Sequence, residues 1–261
     1  MGGGARDAST GAGRHSGPPP SASTVSAVFI WDETSTGARR VLTGRPGGVS
    51  RGPWAGLNLG LHVEDDGADV RENRRRLAAA VDRPLVYMEQ CHGAEVAVVD
   101  GVPDVAPRCD ALVTTSDDLA LAVLVADCVP VLLADPTGVV AAVHAGRPGL
   151  LAGVVPNAVA AMRDLGAREL DAVVGPSVCG RCYEVPAAMR DLAADVEPVS
   201  ATVSWTGTPA IDVAAGVVAQ LRALDVAVTW VPGCTRERED LYSYRGSGTT
   251  GRFAGVVARA S

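Results

Sequence analysis

Four short apolar segments follow one another closely in the centre of the chain, and they constrain the fold more than any other feature. They span 111–114, 119–126, 129–133 and 139–143, are rich in Val, Leu and Ala, and are separated by turn residues. Segments of this length and composition are typical of β-strands. Several are apolar on both faces, so each face of their sheet needs a covering layer. The sequence therefore predicts a mixed α/β domain with a sheet-rich centre.

Further elements follow from the periodicity of the apolar residues and from the turn signals. We expect strands near 27–31, 85–88, 95–99, 172–174, 226–230 and 256–258, and helices near 69–81, 150–165, 186–195 and 211–224. In the first helix Asp69 is the expected N-cap, and Val70, Leu77 and Val81 share one face. The three arginines at 74–76 are interpreted as a solvated face of this helix.

The first 24 residues differ in composition from the rest of the chain. They are rich in Gly, Ser and Pro, and the prolines at 18–20 suit neither a helix nor a central strand. We predict a disordered tail over residues 1–24 and a single domain over 25–261. Hydrophobic residues make up 47% of the chain, which is enough to bury a sizeable core.

Charge and cysteine content narrow the function classes. The net charge of −7 argues against a nucleic-acid partner, because nucleic-acid binders carry a basic footprint. All basic residues are Arg, which excludes Schiff-base and phosphate-loop lysine chemistry. No apolar run reaches the ~18–20 residues of a membrane span, so no membrane partner is expected. Six cysteines are too few for a disulfide scaffold, and we expect a cytoplasmic protein with reduced thiols.

Three of the predicted strands run into a side chain that can bind a metal or act as a nucleophile. The strand from 85 leads to His92, the strand from 119 to Asp127 and Cys128, and the strand from 139 to His144. Two imidazoles and one thiolate suit Zn²⁺ with an open fourth position. Alternatively, Cys128 and His144 form the nucleophile and base of a cysteine hydrolase. The residues alone leave both hypotheses open.

The remaining cysteines give weaker signals. Cys179 and Cys182 form a lone C-x-x-C, which without a second pair is a poor zinc motif and without a thioredoxin-like context a poor redox motif. We interpret them as two reduced thiols in a glycine-rich turn. Cys91, Cys109 and Cys234 are interpreted as buried or semi-buried small residues rather than ligands. For His62, a structural role is favoured over a contact with substrate.

An ordered set of strings resembles one known family. They are RPGGVS (45–50), LNLG (57–60), ENR (72–74), QCHG (90–93), ADCVPV (126–131), HAG (144–146), GPS (175–177), CYEV (182–185), CT (234–235), YSYR (242–245) and TGR (250–252). Together they are similar to the signature of the YfiH (DUF152) or laccase-domain family, also called multicopper polyphenol oxidase-like. The resemblance implies an α/β fold of the α+β type, a single domain with mixed central β-structure flanked by helices.

The resemblance also implies a function. Members are zinc-dependent purine nucleoside phosphorylases that use phosphate to cleave adenosine, inosine, guanosine and methylthioadenosine, and that also deaminate adenosine. The family's zinc ligands match His92, Cys128 and His144. A zinc ion lowers the pKa of a bound water towards ~7, and Asp127 is expected either to move protons beside it or to have a structural role. We therefore expect Cys128, His144 and Asp127 to be the catalytic residues and Zn²⁺ to be the cofactor.

Phosphorolysis also needs groups that hold phosphate and ribose. The matched arginines Arg45 and Arg245 are candidates because a guanidinium fork suits phosphate, and Ser50 and Asn58 are further candidates for sugar or phosphate contacts.

Two of these strings depart from the family pattern, at three positions in all. Arg147 and Pro148 replace the usual Trp and Arg after the HAG string. The family has SYRR where this chain has Ser243-Tyr244-Arg245-Gly246, so Gly246 replaces the second Arg. If a lost arginine contacts phosphate, phosphorolysis is slow or absent.

Alternative functions follow from the same residues. One is a cysteine hydrolase or peptidoglycan-precursor editing factor that uses Cys128 and His144. Another is a zinc-bound scaffold with weakened catalysis. A copper-dependent phenol oxidase is disfavoured, because four histidines cannot supply several copper sites. The expected partners are purine nucleosides and phosphate, with no nucleic acid and no membrane, and the chain is expected to be a monomer or homodimer.

Overall fold

The computed structural model describes residue 1 and residues 28–260. The predicted tail, residues 1–24, lies outside the described residues apart from residue 1. The strands are β1 (Phe29–Ser35), β2 (Ala38–Thr43), β3 (Leu85–Tyr87), β4 (Val96–Val98), β5 (Ala111–Thr114), β6 (Ala120–Val125), β7 (Val129–Ala134), β8 (Val140–Ala145), β9 (Asp171–Val174), β10 (Ala201–Val203), β11 (Pro209–Ile211), β12 (Ala227–Trp230) and β13 (Phe253–Arg259). The α-helices are α1 (Gly67–Val81), α2 (Arg147–Ala152), α3 (Val154–Asp164), α4 (Ala187–Val196), α5 (Val213–Ala223) and α6 (Tyr244–Ser247).

Two mixed sheets form the centre of the described structure. One has the strand order β1-β2-β13-β6-β3 and the other has the order β12-β9-β7-β8-β5-β4, while β10 and β11 form a separate hairpin. The sheets pack face to face, and Leu121 and Val257 of one meet Leu132 and Ala142 of the other in a shared core cluster. The outer face of the first sheet packs on α1, and that of the second packs on α3 and α5. This four-layer arrangement confirms the mixed α/β prediction.

Strand alternation explains why the central segments are apolar throughout. In β6, Leu121 and Val123 face the other sheet, whereas Ala122 and Leu124 face the layer that contains α1. Successive side chains of a strand point to opposite faces, so a strand covered on both sides must be apolar at every position. The double-sided apolar pattern thus identified the buried strands correctly.

Some predicted boundaries need correction. The N-cap of α1 is Asp66, whose side chain accepts a hydrogen bond from the Ala68 amide, and not Asp69, which lies in the first turn. The helix expected over 150–165 is two helices, because Gly153 adopts a left-handed conformation with φ 83° between α2 and α3. The strand β2 is absent from the predicted set because Arg39 and Arg40 mask its apolar pattern.

The described helices include none that combines the length and the apolar character needed to cross a membrane.

Candidate metal centre and substrate cavity

Three side chains from distant parts of the chain converge where strands of the two sheets end. One donor atom each of His92, Cys128 and His144 lies within 4.8 Å of the others. Cys128 Sγ is 3.8 Å from His92 Nε2, and the two imidazole rings meet edge to face with centroids 4.7 Å apart. His144 is buried, Cys128 is half-buried and His92 is exposed. The fold therefore brings together the residues that the sequence predicts as metal ligands.

Strand pairing explains this convergence. In the antiparallel pair β7–β8, Pro130 lies opposite His144, so Cys128, just before β7, lies near the end of β8. His92 follows β3, an edge strand of the other sheet. The side-chain amide of Gln90 extends the contact between β3 and β6. Its Nε2 donates to the Leu124 carbonyl (2.8 Å), and its Oε1 accepts from the backbone amide of Leu124 (3.0 Å). The candidate metal centre thus joins the two sheets.

A carboxylate that the sequence analysis missed supports two of the ligands. Asp110 is fully buried, and its Oδ1 lies 2.8 Å from His144 Nδ1. This contact places the Nδ1 proton towards the carboxylate and leaves Nε2 as the ring nitrogen available for a metal. Asp110 directly precedes β5, and the His144 amide donates to the Asp110 carbonyl (2.8 Å) in the β5–β8 ladder. Looking for carboxylates before strands as well as after them would have found it.

The same carboxylate holds the loop that carries His92. Three successive amides donate to Asp110: Cys91 at 3.3 Å, His92 at 3.0 Å and Gly93 at 2.6 Å. Successive backbone N–H groups that surround an anion form a nest, which includes a residue in the left-handed region. His92 is that residue, with φ 59°. Asp110 therefore fixes the His144 ring and the backbone that carries His92 from one buried position.

The charges of these groups stabilise one another. Burial raises the pKa of the Cys128 thiol, but the charges and hydrogen bonds of His144 and then His92 outweigh this effect and bring it to about 6. Burial lowers the pKa of His144, whereas Cys128 and Asp110 raise it to about 9. Burial raises the pKa of Asp110, but its hydrogen bonds, above all to His144, hold it well below its usual range. Before any metal binds, the geometry favours a thiolate next to an imidazolium.

Gly146 leaves room for the ligand side chains. A Cβ atom at this position would lie 3.0 Å from His92 Cδ2 and 3.1 Å from Cys128 Sγ, closer than side chains normally pack. The glycine directly after β8 thus lets the two side chains approach without either having to shift. Two imidazoles, one thiolate and one open side match the donor set of a zinc site with an exchangeable position.

The ligands open into a cavity of ≈ 1040 Å³. Its lining includes apolar and aromatic side chains and a group of cations, which are Arg74, Arg147, Arg245 and Arg252. The acidic side chains in the lining are Glu89 and Asp127. The cavity beside the candidate metal ligands is therefore locally basic although the whole chain is acidic, and this favours an anionic ligand.

Two of the arginines form a cluster with His62 that we call the basic wall, comprising His62, Arg74 and Arg252. Burial first, then the positive charges of Arg252 and Arg74, lower the pKa of His62. Arg74 Nε donates to the Leu59 carbonyl (2.8 Å) and its guanidinium stacks on Tyr87 at 3.9 Å. Arg74 therefore lines the cavity, and its interpretation as part of a solvated helix face was wrong.

Asn58 positions the basic wall without lining the cavity. Its Oδ1 accepts from the amides of Gly60 (3.0 Å) and Arg252 (2.8 Å), and its Nδ2 donates to Asp65 (2.8 Å). Asn58 is fully buried. The structure thus places Asn58 behind the cavity surface, where it joins the loop before His62 to the segment that carries Arg252.

The other predicted phosphate contacts have different locations. Arg245 lines the cavity and stacks on Tyr183 at 4.9 Å. Arg45 lines a separate cavity of ≈ 210 Å³ and lies 5.0 Å above the Tyr242 ring. Ser50 is buried, and its Oγ accepts from Asn73 Nδ2 at 2.9 Å. Of these three, Arg245 alone is placed to contact a ligand beside the candidate metal centre.

Asp127 holds the segment that carries Arg245. Its Oδ1 accepts from Thr235 Oγ1 (2.6 Å) and Ser243 Oγ (2.7 Å), and its Oδ2 accepts from the Arg245 amide (2.5 Å). The residue has φ 107°, a conformation that needs such support. With three donors on its carboxylate, Asp127 has the contacts of a structural clamp at the start of α6.

The structure also locates the positions that depart from the family pattern. Arg147 lines the large cavity, and Pro148 lies in the first turn of α2, where a missing amide costs little. Gly246 lines the smaller cavity together with Arg45. An arginine at position 246 would therefore start from the lining of the smaller cavity.

Residues 39–260 match the family described as multi-copper polyphenol oxidoreductase laccase. The chain belongs to this family. The family name refers to copper, but the two imidazoles and one thiolate of the candidate metal centre also suit zinc.

Curated relatives and solved structures agree with this assignment. A purine nucleoside phosphorylase of Streptomyces coelicolor is 54% identical over 234 residues, which cover 86% of this chain and 97% of the relative. A purine nucleoside phosphorylase of Corynebacterium glutamicum is 48% identical over 87% of this chain and 96% of its own. The Neisseria meningitidis protein NMB0706, assigned to DUF152, has a TM-score of 0.81 at 33% identity and covers 90% and 98% of the two chains. YlmD of Geobacillus stearothermophilus has a TM-score of 0.79 at 31% identity and covers 90% and 100%.

Proposed function

We propose that this chain is a zinc-dependent purine nucleoside phosphorylase that also deaminates adenosine. The observation that carries the proposal is that a His₂Cys ligand set and a group of arginines open into one cavity. Its ≈ 1040 Å³ is at the upper end of small-molecule sites, which is enough for a nucleoside and a phosphate together. The names of the relatives support the phosphorylase part of this proposal.

The residues that would hold the zinc ion are His92, Cys128 and His144. Asp110 supports them, because it keeps the His144 Nδ1 proton and the His92 loop in place. When bound, zinc supplies a Lewis acid that polarises an oxygen or lowers the pKa of a water, as deamination of adenine requires. The open side of the ligand set faces the cavity, where the nucleoside would lie.

Phosphorolysis depends on the basic wall. Arg74 and Arg252 would hold phosphate through charge-assisted hydrogen bonds, and His62, whose pKa is lowered, would donate one N–H as a neutral ring. A phosphate oxygen then bonds to C1′ as the C1′–N9 bond breaks, and the electron pair of that bond leaves with the purine. The products are ribose 1-phosphate and the free base, which takes up a proton. The arginines orient the phosphate and stabilise its charge.

Aromatic side chains give the purine a surface to stack on. Tyr183 and Tyr244 both line the cavity, with Arg245 on the ring of Tyr183. Arg245 is next to Tyr244, and Asp127 clamps its backbone. The aromatic side of the cavity is therefore linked to Asp127, next to the ligand Cys128, through the Ser243 hydroxyl and the Arg245 amide.

The test combines metal content with turnover. The chain is purified without a chelating tag, its zinc and copper are quantified, and it is incubated with adenosine with and without phosphate. We expect zinc at the cavity ligands, adenine released only with phosphate, and inosine formed without it. Cys128→Ser should lose the zinc of this site and about 10³-fold or more in kcat/KM, since a metal contributes several kcal/mol. Cys109→Ser, which changes a buried thiol outside the ligand set, is the matched control and should retain both.

One observation favours a second function. Cys128, His144 and Asp110 form a chain of thiolate, imidazolium and carboxylate, which is the arrangement of a cysteine hydrolase. Cys128→Asp separates the two functions, because a carboxylate can bind zinc but cannot act as a thiol nucleophile. Zinc and measurable phosphorolysis in this variant support the metal enzyme. Zinc-free wild-type protein with no phosphorolysis contradicts it and favours the hydrolase.

A further inference from the structure

A second group of potential metal ligands lies outside the residues that line the large cavity. We call Cys179, Cys182, Cys234 and Glu237 the thiol cluster. One donor atom from each residue lies within 4.8 Å of the other three. Cys182 and Cys234 are buried, Cys179 is half-buried and Glu237 is exposed. The sequence analysis interpreted Cys179 and Cys182 as a lone pair and Cys234 as a small buried residue, and the fold brings all three together.

Two tight turns present these ligands to each other. In the first turn, the amides of Cys182 (2.9 Å) and Tyr183 (3.1 Å) donate to the Cys179 carbonyl. In the second turn, the amide of Glu237 donates to the Cys234 carbonyl (3.0 Å). Each turn therefore offers two ligands three residues apart. The chain thus contains C-x-x-C opposite C-x-x-E, which supplies the second pair that the C-x-x-C lacks in the sequence.

The side chains are already directed at one another. The Cys179 amide lies 3.4 Å from Cys234 Sγ and donates to it, and the Cys182 thiol lies 3.2 Å from Glu237 Oε1. An N–H group directed at sulfur stabilises a thiolate ligand. In a tetrahedral zinc site with Zn–S bonds of ~2.3 Å, the sulfur atoms lie about 3.8 Å apart. The thiol cluster needs only a small contraction to reach this spacing.

We propose that the thiol cluster binds a second, structural Zn²⁺ ion through three sulfur atoms and one Glu237 oxygen. Thiolates select zinc among the common divalent ions, and four protein ligands leave no position open, which is characteristic of a structural site.

The location gives the ion a specific role. Val178 and Tyr183, which flank the first turn, line the large cavity. Thr235, in the second turn, donates to Asp127. A zinc ion across the two turns would fasten the Tyr183 side of the cavity to the segment that is clamped by Asp127. It would act on the cavity by holding its wall and would make no contact with substrate.

Metal counting on the full-length chain tests the proposal without reference to activity. The chain is saturated with Zn²⁺ alone, desalted and analysed for zinc and protein. We expect two zinc ions per chain in the wild type, one in Cys128→Ser, one in Cys234→Ser and none in the double variant. Cys109→Ser should retain two. Zinc content that does not change on going from the wild type to Cys234→Ser overturns the proposal, whatever happens at Cys128.

A second measurement covers the case in which Cys234→Ser does not fold. Glu237→Gln changes an exposed side chain, and it should weaken binding of one zinc ion by about tenfold or more in competition with a chromophoric chelator. Co²⁺ bound to Cys128→Ser should show the absorption of tetrahedral cobalt with several thiolates. A Cys179–Cys182 disulfide in freshly purified chain, or octahedral cobalt in this variant, would contradict the proposal.

Discussion

The large cavity has two sides that are built in different ways. The ligand wall, formed by His92, Cys128 and His144, lies at the ends of paired strands, and one buried carboxylate, Asp110, holds it. A slip of one residue in these strands would move every side chain into the core cluster on the opposite face, so close packing on both faces fixes the register. The ligand wall therefore has little freedom to adapt.

The basic wall depends on loops and on one helix. Arg74 extends from α1, His62 follows a loop, and Arg252 precedes β13. Buried Asn58 joins two of these segments. Long side chains on such supports can shift to meet a phosphate, at the cost of side-chain entropy. A change in the ligand wall should therefore abolish the candidate metal centre, whereas a change in the basic wall should cause a graded loss of phosphate affinity.

The largest effect is expected from Asp110→Asn. The new amide would donate towards His144 Nδ1 and move the ring proton to Nε2, the nitrogen needed for zinc. We expect about 10–100-fold weaker zinc binding at this site, measured by chelator competition. Asp135→Asn is the control, because Asp135 is also buried and holds the amides of Arg168 and Glu169. It should lower the midpoint of thermal unfolding without changing zinc affinity. Equal zinc affinity in the two variants would show that Asp110 has no special role.

A smaller and more selective effect is expected from Arg74→Gln. Loss of a charge-assisted hydrogen bond to phosphate, which contributes about 1.5–3 kcal/mol, should raise the KM for phosphate roughly tenfold or more. Deamination of adenosine, which uses no phosphate, should keep its KM and kcat. Arg75→Gln is the control one residue further along α1, where Arg75 pairs with Glu72 at the surface. A parallel loss of both activities in Arg74→Gln would break the distinction between the two walls.

The pH dependence of Cys128 gives a third test, made on chain treated with a chelator. Because its pKa is lowered to about 6, the thiolate persists down to that pH and is lost as the pH falls through it. Alkylation by iodoacetamide should have its midpoint near pH 6, and at pH 6 it should run about tenfold faster than for an ordinary thiol of pKa ~8.5. Cys109, whose pKa burial raises to about 11, should remain unmodified. Peptide mass spectrometry reads both sites, and a Cys128 midpoint near 8.5 would exclude the thiolate–imidazolium pair.

The same contrast explains how much the sequence could predict. His92, Cys128 and His144 could be grouped because each lies at the end of a predicted buried strand, where α/β folds tend to place their ligands. The sequence did not show that these strands belong to two packed sheets. Arg74 could not be separated from Arg75 and Arg76, because α1 has polar residues on all sides but one, and only the position of the neighbouring loop decides which arginine is covered. The position of a loop has no periodic signal in the sequence, so it could not be predicted.

The thiol cluster shows the same limit. Its two halves lie in separate turns, and nothing between Cys182 and Cys234 indicates that the turns meet. Asp110 escaped for another reason, since it precedes its strand. By contrast, the layered sheets were predictable in type, because apolar segments on both faces permit few other folds.

The smallest effect is expected from Asp127→Asn, and it decides between the two roles that the sequence left open for this residue. An asparagine can still accept from Thr235 and Ser243, but its amide opposes the Arg245 N–H, so one hydrogen bond is lost. We expect a slightly lower unfolding midpoint and a KM for adenosine raised by about threefold, with kcat nearly unchanged, consistent with ~1 kcal/mol for one hydrogen bond.

Thr235→Val, which removes another donor of the same clamp, should have a similar small effect. A proton-transfer role for Asp127 would instead lower kcat by about 10²–10⁴ in Asp127→Asn and leave it unchanged in Thr235→Val. Steady-state kinetics on the two variants therefore separates a residue that holds Arg245 in the cavity from one that moves a proton.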